Sequence, residues 1–348
     1  MEPKRHHYVP MLLLRRFSPE PEADNPRLWR LDKDSSHVSR SSARNETVIS
    51  HHNRLDVVPE GLTASPETIL SWVERDAAPV IERFLTGGSP TRKGRARFAL
   101  FLAFQQIRTP QGRQWQVTMQ EIAAKLTLKR ALGDHAYVRN FLEGQGDSLT
   151  PDEIDDWRWS LIEQIDAGSL ARRVSHDREI RGMFMAAVRL LPAIAQATVW
   201  FGLRAPEGSQ FILADHPIAI HDPQAGPGDP VAWLSSPTVE VTIPLSPSFC
   251  LLLRPGAPAY RARTVGAMTV DEINLRSYAS AHWSIYGPSE ESVRQVRMAA
   301  ERAPDRVAAY EPRAPMVTLA ERFAGEPEPF RVVTHQPPAR GSRAKRRP

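Results

Sequence analysis

His6 and His7 stand side by side near the N-terminus and run into Tyr8, Val9 and Pro10. A histidine pair can bind a metal, bind a substrate, or close a core through its ring nitrogens. On an extended segment, neighbouring side chains point to opposite faces, so the pair needs partners from elsewhere in the chain. The stretch "ADHPIAIHDP" offers Asp215, His216, His221 and Asp222. If it is extended, Asp215 and His221 lie roughly 20 Å apart at ~3.3 Å per residue, so only Asp215 and His216 can serve one centre unless the chain folds back at Pro217. The structural alternative is an Asp-x-Pro turn in which Asp215 caps backbone amides. The stretch "QQIRTP" places Gln105, Gln106 and Arg108 at the end of an apolar helix. Arg108 there can neutralise the carbonyl end of its own helix or grip a phosphate or carboxylate with its planar fork. Glu74, beside Asp76 on the polar side of another helix, can pair with Arg108 or serve as a metal carboxylate. No Gly-rich phosphate loop, Cys-x-x-Cys pair, His-Glu-x-x-His helix or Gly-x-Ser-x-Gly elbow occurs, which argues against nucleotide-driven motors, zinc ribbons and the usual serine hydrolases.

The elements that must position these residues are legible from periodicity and punctuation. "PRLWRLDK" and "SHVSRS" alternate as two short strands around a turn at 34–36. "SPETILSWVERDAAPVIERFLTGG" carries Ser65 as N-cap, Pro66 at the first helical position and Gly87 as a stop, with Pro79 expected to kink or split the helix. The run from Phe98 to Phe104 is apolar on all sides, which suits a central buried helix, and Pro110 ends that helix near Arg108. Trp115, Met119, Ile122 and Leu126 form one stripe of a third helix. Thr150, Pro151 and Glu153 open another with a capping box, and a further helical pattern runs from 169 to 191. "ATVWFGLR", "SQFILADHP", "TVEVTIPL" and "FCLLLRP" are short β-rich runs. "TVDEINLRSYASAHW" returns to helix, with Thr269 and Glu272 read as a second capping box. The expected fold class is α+β: an N-terminal β-hairpin, a central helical bundle, and a C-terminal mostly antiparallel sheet with flanking helices. Residues 1–310 are read as a single unit, with the motif and hairpin in 4–60, the helical part in 65–192, the β part in 197–264 and C-terminal helices in 269–303. An irregular extension at 312–335 and a disordered basic tail at 336–348 follow.

Composition narrows the setting. The 348 residues are 41% apolar, enough for a sizeable core, and the single cysteine, Cys250, excludes an intramolecular disulfide. The N-terminal apolar run from Met11 to Leu14 is too short for a signal-peptide core and no apolar run reaches the length of a membrane span, so a cytoplasmic protein without a membrane partner is expected. The net charge of +5 resides in the tail, whose Arg340, Arg343, Lys345, Arg346 and Arg347 account for the whole excess; without them the chain carries 40 basic and 40 acidic residues. Residues 92–130 hold nine Lys/Arg against one acid, and residues 147–166 hold seven Asp/Glu against one base. Such opposed blocks are most often solvated helix faces or partners of each other; the basic one could also face phosphate.

In order along the chain, "HHYVPMLLLRRF", "WVERDAAPVIERF", "FLAFQQIRTP", "FILADHPIAI" and "IPLSPSFCLLL" resemble the blocks of a bacterial family catalogued as a domain of unknown function, number four-two-three-eight. The resemblance covers most of 4–290. It implies a fold and a set of candidate residues and no reaction; Met11 departs from it, standing where members often carry a polar residue. The opening string is also similar to the first motif of histidine–asparagine–histidine nucleases. There one histidine activates water and its neighbour helps hold a divalent metal, because a phosphodiester needs a nucleophile and a Lewis acid on the leaving oxygen. Those nucleases need a downstream Asn and His, for which Asn45 and the cluster His51, His52 and Asn53 are at hand, without the usual spacing or glycine-rich turn.

The resulting expectation is a metal-dependent hydrolase acting on phosphodiesters, nucleic acid among them, with a divalent metal as cofactor. His7 is the water-activating base and His6 a metal ligand or orienting group. Asp215 and Glu74 hold the metal, Arg108 meets phosphate charge, and Gln105 and His216 contact substrate. The alternative is a non-catalytic module that binds an acidic partner, nucleic acid or another polyanion through the basic block.

Overall fold

The computed structural model describes residues 4–57, 63–146, 149–168, 175–225 and 236–311. In chain order the elements are β1 (Arg5–His7), α1 (Met11–Leu14), β2 (Arg27–Asp32), β3 (Val38–Ser42), β4 (Val48–Ser50), α2 (Pro66–Leu85), α3 (Arg92–Arg108), α4 (Pro110–Gly133), α5 (His135–Gln145), α6 (Pro151–Asp166) and α7 (His176–Gln196). They continue with β5 (Thr198–Arg204), β6 (Leu213–Ala214), β7 (Ala219–His221), β8 (Glu240–Ser246), β9 (Phe249–Pro255), β10 (Ala259–Thr264), α8 (Ala267–Ser280), β11 (Ser284–Gly287), α9 (Glu290–Arg302) and α10 (Pro304–Tyr310). The architecture is α+β, with an N-terminal hairpin, a helical middle and a largely antiparallel C-terminal sheet, as the sequence pattern predicts.

Three sheets hold the strands of the described residues. β1 pairs antiparallel with β4, setting His6 opposite Ile49 and His7 opposite Val48. The hairpin β2–β3 closes where Asp32 Oδ1 accepts from the amides of Asp34 and Ser35, with Ser36 in the left-handed region at φ 63°. β11, some 250 residues later, completes that sheet in the order β3-β2-β11-β6. The larger sheet runs β10-β5-β9-β8-β7. Its edge strand β10 lies parallel to β5, an exception to the antiparallel pattern that the sequence did not signal.

The helices form where their punctuation places them. Ser65 accepts from the Thr68 amide at 3.2 Å to open α2, and the helix runs unbroken through Pro79. α3 is buried along Phe98–Leu102 apart from Leu100, and wholly so from Phe101 to Arg108. It packs against α2, α7 and α4, and Phe84, Phe98, Trp200 and Phe249 make the aromatic centre of the core where it meets the large sheet. Arg95 ties that seam: it donates to the carbonyls of Ala195 at 2.8 Å and Ala259 at 3.1 Å and lies 4.0 Å over the Trp200 ring. The predicted stripe of α4 is only half-buried at Trp115, Met119, Ile122 and Leu126; the helix buries Gly112, Arg113 and Leu132 instead. α8 starts at Ala267 with Gly266 as N-cap, three residues ahead of the expected N-cap Thr269. Thr269 lies inside the helix, and Glu272 meets Arg276 and Arg306.

Part of the basic block is spent inside the fold, whereas the described acids of 147–166 are mostly exposed. Arg95, Arg108 and Arg113 turn inward, Arg97 pairs with Asp76 at 3.4 Å, and Lys129 pairs with Asp166 of the acidic block. The expected extension at 312–335 and basic tail at 336–348 lie outside the described residues. Among the described residues no helix is long and apolar enough to cross a membrane.

Candidate functional site

The extended start of the chain sends its two histidines to different surroundings. His6 is fully buried, and its Nδ1 accepts from the Asn53 amide at 2.8 Å. Glu67 Oε2 lies 3.8 Å from the same nitrogen and takes a hydrogen bond from Asn53 Nδ2 at 2.7 Å. His7 is half-buried on the opposite face. Its Nδ1 lies 3.1 Å from the Glu46 carbonyl oxygen. A carbonyl only accepts, so Nδ1 carries the proton and Nε2 of the neutral ring is left with its lone pair. Burial lowers the His7 pKa, opposed by the Glu46 bond and the Glu74 charge and assisted by the charges of Arg108 and Arg5, so the neutral ring prevails at pH 7.

Arg108 arrives from the end of α3. Its Nε donates to the Tyr8 carbonyl at 3.0 Å and to Gln105 Oε1 at 3.1 Å, and Gln105 Nε2 donates to the same carbonyl at 3.0 Å. Its Nη1 donates to Glu74 Oε1 at 2.6 Å. Arg108 is 2% exposed, whereas the Glu74 side chain is 27% exposed. Nη2 is buried and has no partner among the described residues, a vacancy that costs on the order of 1–3 kcal/mol in a folded protein. Gln105 therefore positions the guanidinium, and His7, Glu74 and Arg108 form one electrostatic cluster where β1, α2 and α3 meet.

Two residues expected at the site lie in other settings. Asp215 is fully buried and accepts from the amides of His282, Trp283 and Ser284 at 2.7, 2.8 and 3.2 Å. It caps backbone amides, as the turn alternative anticipated, but those of the distant loop before β11. Burial raises its pKa to about 6 against the pull of the three amides. His216 is also fully buried, with Nδ1 2.6 Å from Thr109 Oγ1; its Nε2 has no partner among the described residues, and burial lowers its pKa to about 3. Thr109 in turn accepts from the Gly112 amide at 3.1 Å to cap α4.

His6, Glu74 and Asp215 thus sit in three separate settings, and no group of three or more His, Cys, Asp or Glu side chains among the described residues is placed to share a metal ion. The residues present do not fit the expected metal centre. Three backbone amides already engage the Asp215 carboxylate, and His6 Nδ1 is occupied by Asn53.

Sequence reasoning missed two residues that hold the cluster, Glu46 and Arg113, and gave His52 and Asn53 a different role. Glu46 fixes His7 through its carbonyl and accepts from Tyr286 Oη at 3.0 Å; it follows an irregular turn and carries no periodic signal. Asn53 and His52 belong to the cluster singled out in the sequence. His52 Nε2 donates to the Arg108 carbonyl at 2.9 Å. Arg113 donates to the His52 carbonyl at 2.6 Å and to Asn53 Oδ1. Arg113 was visible only as one member of a basic block.

Residues 5–291 match the family described as "Protein of unknown function (DUF4238)". The chain belongs to this family. The match takes in every residue of the DUF4238 cluster just described, from His7 to Trp283, and stops at the start of α9. No curated protein and no solved structure matches the chain.

Proposed function

We propose that this DUF4238 protein hydrolyses phosphodiesters, nucleic acid among them, in the cytoplasm, with His7 as the base and Arg108 as the cation that meets phosphate. The observation that supports this most is the state of His7. Its Nδ1–H is held by a carbonyl, its Nε2 lone pair has no protein partner among the described residues, and the ring stays neutral at pH 7. That is the state in which an imidazole can take a proton from water. Arg108, fixed by Tyr8 and Gln105 with one amino group unpaired, supplies the charge that a phosphate oxygen needs as negative charge builds. His6 and Asp215 act on this reading by holding backbone: His6 anchors the 51–54 turn, and Asp215 anchors the loop before β11. No step is routed through a metal, because the donors present do not converge on one.

The test is turnover of bis(4-nitrophenyl) phosphate and of single- and double-stranded DNA and RNA by the purified protein, with and without added divalent cations. His7→Ala is expected to lose about 10²–10⁴-fold in rate with its melting temperature nearly kept. Binding of polyanions without turnover by the wild type would instead support the non-catalytic module, and an unchanged rate in His7→Ala would remove the base assignment.

A further inference from the structure

The Arg108 guanidinium is almost wholly enclosed, yet one of its amino groups is unsatisfied, and the other pairs with a partly exposed carboxylate. Stable buried ion pairs normally satisfy all their donors. Here Nε is fully used by Tyr8 and Gln105, which fix the plane of the fork, while Nη1 meets a single oxygen of Glu74 and Nη2 meets nothing among the described residues. A tetrahedral anion presents two oxygens to such a fork, where Glu74 engages only one donor. Glu74 is carried on α2 in a stretch where Ser71 and Arg75 are exposed, so its side chain has solvent to swing into. His7 feels the charges of both residues, so an anion seated on Arg108 would act on the imidazole as well.

We propose that Glu74 is a gate that occupies the phosphate site of Arg108 in the resting protein and is displaced by a phosphate group, which then bridges Nη1 and Nη2. This rests on the phosphodiester reading of the same cluster and adds its regulation. Glu74 becomes a competitor of the substrate, and the expected metal-ligand role for it is set aside. Because the carboxylate and phosphate compete for one cation, removing the carboxylate's charge must tighten phosphate binding, whereas a carboxylate that helped to bind substrate through a metal would do the reverse.

The probe is inorganic phosphate, titrated calorimetrically at pH 7.5 and low salt against wild type, Glu74→Gln and Glu74→Ala. Both variants are expected to bind phosphate at least tenfold more tightly than the wild type. An affinity equal to or weaker than that of the wild type in a folded variant overturns the gate. Loss of the fold in both variants is covered by a measurement on the wild type. Phosphate at tens of millimolar should shift the guanidinium N–H resonances of Arg108 in a nitrogen-15 spectrum, and an Arg108 signal that does not move overturns the proposal as well. The two readings fail separately. Tighter phosphate binding without hydrolysis of bis(4-nitrophenyl) phosphate by any form keeps the gate and removes the hydrolase. Hydrolysis by the wild type with no gain in either variant keeps the hydrolase and removes the gate.

Discussion

The Asn53 amide points at His6 Nδ1 and the Glu46 carbonyl at His7 Nδ1, so two neighbouring imidazoles are held as opposite tautomers. His6 accepts on Nδ1 inside a closed core, and His7 donates on Nδ1 and leaves Nε2 with its lone pair. Their truncations should therefore part company. His6→Ala removes a fully buried ring and leaves the buried Asn53 amide without its acceptor, for which a loss of about 2–4 kcal/mol is expected. His7→Ala removes a half-buried ring and frees one carbonyl that water can reach, for which about 1 kcal/mol or less is expected. Urea unfolding of the two variants checks this, and equal losses would show that both histidines serve the core.

The turn from α3 to α4 decides where Arg108 points. Thr109 sits in extended geometry, as a residue before proline must, and caps α4 with its hydroxyl while its backbone ends α3. The sharpness of that corner depends on Gly112. A Cβ there would lie 2.1 Å from the Gln106 carbonyl oxygen and 2.9 Å from Ile107 Cα, both rigid backbone atoms. Alanine is favoured over glycine in a helix by about 1 kcal/mol, but the clash with helix α3 outweighs it, so Gly112→Ala should destabilise by about 2 kcal/mol or more. It should also move the Thr109–His216 and Arg108–Tyr8 contacts. A melting temperature at or above that of the wild type would show that the corner can open freely.

Over the whole molecule the buried histidines set the response to acid. Burial lowers the pKa of His52, with help from Arg113, and that of His216; both reach about 3, against 6.5 when unfolded. Below pH 6.5 the unfolded chain takes up these protons and the folded protein does not, so stability is complete above 6.5 and falls as the pH drops towards 3. Asp215 acts in the other direction, since its folded pKa of about 6 exceeds 3.8, the ordinary value; its contribution grows as the pH falls from 6 to 3.8. Each group changes stability by about 1.4 kcal/mol per pH unit within its window, so two histidines outweigh one carboxyl. The urea midpoint should hold between pH 8 and 6.5 and fall steadily from 6.5 to 4; a flat profile would mean that these rings titrate normally.

How much of this was legible in the chain follows from the range of the forces involved. Ser65, Pro66, Thr150, Glu153 and the proline after Thr109 act within a few residues, so the starts and stops of α2, α3 and α6 could be read directly. The same holds for the alternation of β2 and β3 and for the choice of His6, His7, Glu74 and Arg108 as chemically able side chains. The pairing of β11 with β2, the parallel edge β10, the capture of Asp215 by residues 282–284 and the carbonyl of Glu46 beneath His7 lay beyond such reading. Each joins segments tens to hundreds of residues apart through backbone groups that every residue type possesses. Local propensity and side-chain chemistry are written in residue identity; which backbone amide or carbonyl meets a given imidazole is set by packing of the whole core, and that alone separated the enclosed histidine from the one open to solvent.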